Sequence, residues 1–222
     1  MIRHFDDELE ALKQRLIQMA ARAEEAVALS MKTLTDRKET FSKAVFETEQ
    51  KINNDEIEIE AEALRLIAQH QPVAKDLRFL TSTIKIINEL ERIGDLSVNI
   101  VEVAIDLMKQ PLLKPLIDLP RMANIASQMV KDSLDAFVSN DSKKAKAVCE
   151  RDDEVDNLND QLFRELITYM IEDPGNIKRA VDLILVARHL ERIADHSTNI
   201  SENVFYIVEG KTIKHHHFAH EV

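Results

Sequence analysis

The 222-residue chain has no tryptophan, one cysteine, three glycines and five prolines. So little glycine and proline excludes turn-rich β sandwiches and barrels, whose strands reverse every few residues. The lone Cys149 excludes an internal disulfide framework and fits a reducing cytoplasm. With no histidine arranged around it as a base, it reads as a small core residue. No apolar run approaches the roughly 18 residues that a membrane-spanning helix needs. The N-terminus, MIRHFDDELEALKQ, is charged and helix-like, so it fits neither a signal peptide nor a transit peptide.

Chemical signatures are missing too. There is no P-loop, no dinucleotide fingerprint and no Gly-x-Ser-x-Gly elbow. No glutamate has a histidine three residues on, so the Glu-x-x-His pairs of carboxylate-bridged di-iron bundles are absent. Without a nucleophile–base constellation, the expected class is a nonenzymatic protein.

What is present is charge and helix formers. The 29 basic and 40 acidic side chains give a formal net charge of −11. That balance disfavours nucleic acid and anionic lipid, and suits a basic partner surface or bound cations. Apolar residues recur at spacings of three and four, as in Leu9, Leu12, Leu16, Met19, Ala23, Val27 and Leu34, which predicts helices throughout. Six are expected, over about Phe5–Thr35, Glu39–His70, Val73–Lys109, Arg121–Ser139, Ser142–Ile171 and Asn176–Glu209. Breaks fall at Asp36-Arg37, at His70-Gln71-Pro72, at the three-proline segment Gln110–Pro120, at Asn140-Asp141 and at Asp173-Pro174-Gly175, with Gly210 as a C-cap.

The two halves share this plan, and the second helix aligns with the fifth at an offset of 103, pairing Ile52 with Val155. The expected fold is all-α, two tandem three-helix bundles related by internal duplication. Residues 1–109 form the first bundle, 110–120 a proline-rich linker, 121–210 the second bundle and 211–222 a histidine-containing tail. The tail run His215 to His220 has a metal-binding composition, but lies outside the repeat and reads as surface.

The duplication is plainest in LERIGDLSVNI, Leu90 to Ile100, which returns as LERIADHSTNI, Leu190 to Ile200. On a helical wheel Glu91, Asp95, Asn99 and Glu102 fall within about 80°. Glu191, Asp195, Asn199 and Glu202 do the same, each set continuing a line of apolar residues. On the preceding helices Asp152 and Asp156 are again four apart, and the aligned residues in the first half are Glu49 and Asn53. Antiparallel neighbours would bring these acids together. Like charges at that spacing repel by a few tenths of a kcal/mol per pair, and a hard cation with oxygen ligands would relieve it. The competing reading is a solvated acidic face with intrahelical ion pairs such as Arg92 with Asp95 and Arg192 with Asp195. His189 and His196, beside the second motif, read as solvated or ion-paired residues rather than ligands.

At these residues the chain resembles the PhoU family of phosphate-signalling regulators. The resemblance spans the whole sequence: both LERI(G/A)D motifs, CERDDEVDNL, ITYMIEDPGNIKRA and the PLLKPL linker, in order. It implies a cytoplasmic negative regulator of the phosphate-starvation response. Such a regulator couples subunits of a phosphate-specific ABC transporter to a membrane-bound sensor histidine kinase, forms a homodimer, and meets the membrane only through its partners. It also implies metal, as iron, Mn²⁺ or Mg²⁺ and in some members multinuclear, held by acid-x-x-x-Asp motifs. Those motifs are complete here at Glu91/Asp95, Asp152/Asp156 and Glu191/Asp195, with Asn99 and Asn199 as added oxygen donors. Asn53 stands where the pattern after Glu49 has aspartate, so a weaker first site is expected. Two rivals remain at this point: a metal-dependent enzyme or metal store using the same carboxylates, and a helical scaffold without metal.

Overall fold

Six long α-helices follow one another: α1 (Ile2–Asp36), α2 (Thr40–His70), α3 (Ala74–Met108), α4 (Asp118–Ser139), α5 (Ser142–Glu172) and α6 (Ile177–Glu209). The computed structural model describes residues 2–213, and the histidines of the tail lie outside them. Among the described residues there is no strand, as the scarcity of glycine and the three-to-four periodicity require.

The helix ends follow from local chemistry. Arg37 takes a left-handed φ of 53° after α1, and its guanidinium donates to the Met108 carbonyl at 2.8 Å and to the Gln110 carbonyl. One side chain thus satisfies orphan acceptors at the end of α3. Asp141 caps α5, its carboxylate accepting from the Lys143 and Lys144 amides at 3.0 Å. Gly210 closes α6 at φ 69°, the expected left-handed glycine cap. One boundary differs from the sequence expectation. α4 begins at Asp118 rather than Arg121, because Pro120 falls in its first turn, where a missing N–H leaves no hydrogen bond unmade.

Helices α1, α2 and α3 pack on one another, as do α4, α5 and α6, giving the two expected three-helix bundles. The bundles join through α3 against α6 and α1 against α4. Both junctions are antiparallel. Arg78 lies against Gly210, Glu89 meets His196 and Arg179 reaches the Pro111 carbonyl along α3–α6. Along α1–α4, Lys13 donates to the Val138 carbonyl at 3.1 Å. The repeats are therefore related by a pseudo-twofold axis.

A single apolar core runs through both bundles, from Leu12, Leu16 and Met19 through Ile52, Ile93 and Ile100 to Val155, Leu190 and Ile200. Phe79 stacks on Phe137 across the repeats with ring centroids 5.7 Å apart. Each fully buried Leu or Ile contributes about 1.5–3 kcal/mol relative to exposure, so the core, rather than the surface ion pairs, holds the helices in register.

The linker is also anchored. Lys114 is 8% exposed, and its ammonium bonds Asp118 at 3.0 Å and Glu165 of α5. Burial opposes its charge, but the two carboxylates hold its pKa above the ordinary lysine value.

Candidate functional site

Gly94, inside the first LERIGD motif, sets how closely α2 approaches α3. A methyl group there would sit 3.2 Å from Ile52 Cδ1, tighter than ordinary contact. Ile52 fills that space and is fully buried. The aligned pair in the second repeat is Ala194 with Val155, one methyl moved from one helix to the other. Both repeats therefore hold their acidic motif against the preceding helix at close range.

In the second repeat that proximity is seen as repulsion. Burial first, then Asp195 and Asp156, push the Glu191 pKa above the ordinary glutamate value. Asp195 is open to solvent on one side, but its carboxyl is crowded by protein on the other, and burial followed by Asp156 raises its pKa too. Asp152, one turn before Asp156, is 7% exposed. Asp156 of α5 thus lies near enough to Glu191 and Asp195 of α6 to repel both.

The first repeat repeats the pattern with a change. Burial, then Asp95, raises the Glu91 pKa, with Glu56 adding to it. Asn53 donates its Nδ2 to Glu49, which leaves its Oδ1 buried with no hydrogen bond. Glu91 Oε2 is likewise buried without a hydrogen bond, with Arg92 Nε at 3.5 Å. The Arg92–Asp95 ion pair of the competing, solvated-face reading is present at 3.7 Å. Asn99 is half-buried on the same face.

Asn199 reaches across the repeats through its amide nitrogen. Its Nδ2 donates to Glu89 Oε2 at 3.1 Å, across the seam between the repeats. The same oxygen takes His196 Nδ1 at 2.6 Å, so His196 is held by a carboxylate. His189 departs from expectation: its Nδ1 is buried without a hydrogen bond, and burial with Arg192 and Arg188 pulls its pKa down. Glu56, Glu89 and Lys114 were missed in the sequence. Glu56 alone left a signal there, seven residues after Glu49 and so on the same helical face.

The donor set suits a hard cation. It is made of carboxylates and amide oxygens, with thiol and imidazole excluded, and two buried acceptors lack donors. In chemical type, these donors match the metal that the resemblance implies. As they stand, no three His, Cys, Asp or Glu side chains among the described residues converge closely enough to hold an ion. Cys149 is buried in the same region, and its thiol is pushed up to about 12 by burial, Glu202 and Asp152.

A duplicated all-α bundle protein with mirrored acidic faces on α2–α3 and α5–α6 is what the fold and the site together define. The family model for the PhoU domain matches residues 16–104 and 119–204, one copy per bundle. The phosphate-specific transport system accessory protein PhoU homolog of Aquifex aeolicus is 44% identical over 210 residues, which span 95% of each chain. The crystal structure of PhoU from Pseudomonas aeruginosa superposes with a TM-score of 0.90 at 36% identity, covering 93% of this chain and 100% of that one. That of the phosphate transport system regulatory protein PhoU from Streptococcus pneumoniae gives 0.86 at 25% identity, covering 95% and 100%. The chain belongs to the PhoU family.

Proposed function

We propose that the protein is a nonenzymatic negative regulator of phosphate uptake and of the phosphate-starvation response. In this reading it works on the cytoplasmic side, as a homodimer, between the subunits of a phosphate-specific ABC transporter and a sensor histidine kinase. The observation that carries the reading is the match of both bundles, over nearly the full chain, to accessory proteins of phosphate transport. No helix among the described residues is long and apolar enough to cross a membrane, so contact with the membrane would run through those partners. The α2–α3 and α5–α6 turns carry bare aliphatic side chains, Val73 on one and Ile171 and Ile177 on the other. Such side chains supply contact area to a partner.

The same reading gives the acidic faces a cation: iron, Mn²⁺ or Mg²⁺, singly or as a cluster. Glu49, Asn53, Glu91, Asp95 and Asn99 would hold it in the first repeat, and Asp152, Asp156, Glu191, Asp195 and Asn199 in the second. A bound cation would neutralise repelling carboxylates and fix α2 against α3 and α5 against α6, stiffening the faces that meet the partners.

Deletion of the gene, followed by measurement of phosphate-regulon expression in high phosphate, tests the regulatory role. The expected result is expression that stays high despite ample phosphate. Unchanged repression would contradict the assignment.

A further inference from the structure

We propose that the cleft at one end of the α3–α6 seam binds a small phosphate ester, its phosphate group held by Arg78 and Lys85. The site lies between the repeats and does not depend on a metal.

Two adjoining hollows make the cleft. One, of about 370 Å³, is lined by Thr81 and Lys85 of α3, Tyr206 of α6 and Thr212 just beyond it. The next, of about 490 Å³, is lined by Ile84. Lys85 and Glu202 line both, so the two are continuous. Each volume falls within the range of small-molecule pockets. Arg78 stands at the outer end. Its guanidinium carbon lies 3.6 Å from where a methyl group on Gly210 would sit, and Gly210 falls between Tyr206 and Thr212.

The internal duplication shows what this end of the seam lacks. At the offset of 100, Arg78, Ser82 and Lys85 correspond to Lys178, Asp182 and Leu185. In the second repeat the cation is neutralised one turn on, Lys178 Nζ donating to Asp182 at 2.9 Å. In the first repeat that acid is Ser82, which does not stand in as an acceptor. Ser82 Oγ and Arg78 Nε are both buried without a hydrogen bond. Two turns along α3 from Arg78, and on the same face, Lys85 adds a second cation where the other repeat has leucine. Among the described residues Lys85 forms no ion pair, although Glu202 lines the same cleft. The negative end of α6 beside Gly210 suits one cation. It does not account for two.

The chemistry of the lining selects the ligand. A phosphate monoester carries a charge of about −1.5 to −2 at pH 7, which matches two cations better than a single carboxylate does. The Tyr206 and Thr212 hydroxyls add neutral donors for its oxygens. Further in, Glu202 repels a second anionic group and accepts from a hydroxyl, while Ile84 gives an apolar wall for carbon. A sugar phosphate and a nucleoside monophosphate share this pattern of an anionic head on a hydroxyl-bearing body.

The test is titration calorimetry on the full chain with ribose 5-phosphate, glucose 6-phosphate, AMP, ribose and inorganic phosphate. At least one of the three esters should bind more tightly than ribose or inorganic phosphate, and which one binds separates the sugar phosphate from the nucleotide. Lys85→Leu, which installs the second repeat's residue, should weaken that ester roughly tenfold or more, the scale of a charge-assisted hydrogen bond. Glu202→Gln should weaken the ester and leave inorganic phosphate unchanged. Circular dichroism and an unaltered melt of Lys85→Leu exclude misfolding as the cause. No binding of any ester by the wild type overturns the site, as does equal affinity in Lys85→Leu. Inorganic phosphate binding as tightly as the esters overturns the assignment to an ester.

Discussion

Glu89 and His196 meet 2.6 Å apart at the seam where α3 runs antiparallel to α6. Their contact is one-sided with respect to the pseudo-twofold axis. The aligned residues are His189 and Leu96, which cannot form the same pair. Asn199 donates to the same carboxylate at 3.1 Å, so Glu89 ties two residues of the second repeat to the first.

Removing that acceptor should loosen the junction of the bundles. Glu89→Ala leaves His196 and Asn199 without a partner, at a cost of about 1–3 kcal/mol for a partly buried polar group. For a chain of this length that lowers Tm by roughly 2–4 °C per kcal/mol. Calorimetry reads the shift, and His196→Leu in the Glu89→Ala background should add little, since the pair is already broken. Additive losses would show that the two residues do not act together.

A second prediction concerns Gly94 and Ile52. Ile52→Val alone should cost about 0.5–1.5 kcal/mol as a cavity. Gly94→Ala alone sets a helix-propensity gain of up to about 1 kcal/mol against the 3.2 Å approach to Ile52 Cδ1. Combined, they reproduce Val155 with Ala194, and the new methyl fills the space that the old one left. A double-mutant cycle by denaturant unfolding should therefore give a favourable coupling. Zero coupling would mean that the helices move apart to accept alanine.

How much of this could be read in the sequence depends on the range of each interaction. The helices, the duplication and the face of Glu91, Asp95, Glu191 and Asp195 were legible because they rest on periodicity within one segment. The start of α4 was misplaced because Pro120 reads as a breaker, whereas a proline in a first turn is tolerated. Glu56 falls outside the four-residue spacing of the other acids, standing three from Asn53, so that pattern does not include it. The Glu89–His196 bond and the anchoring of Lys114 by Glu165 join distant positions and break the repeat, so no local pattern announces them.

Burial and Asp156 hold the Asp195 pKa above its ordinary value of 3.8, and this fixes a pH dependence. A raised carboxylate pKa means that the folded state holds its proton more tightly than the unfolded chain. Ionisation is therefore a cost to the fold that is absent below about pH 3.8 and grows as pH rises through the folded value. Metal-free Asp195→Asn should accordingly melt higher than metal-free wild type at neutral pH, with the difference vanishing in acid. With metal present the order should invert, because the variant loses a ligand. Thermal melts with and without chelator decide it, and one order in both conditions would count against the site.

Cys149 should be inert in the native protein. Its thiol is 5% exposed, lies 4.0 Å from the Thr198 carbonyl and is pushed up to about 12, so little thiolate exists at neutral pH. A thiol-reactive disulfide reagent should label it only on unfolding. Rapid labelling under native conditions would mean that α5 separates from α6 readily.

Elemental analysis of the native full-length protein, beside the variant Glu91→Gln/Asp95→Asn/Glu191→Gln/Asp195→Asn, tests the central claim most directly. The prediction is iron, manganese or magnesium in the native chain at no less than one ion per chain, and its loss from a variant that keeps its helical circular dichroism. A metal-free native protein, or equal metal in the two, would contradict it.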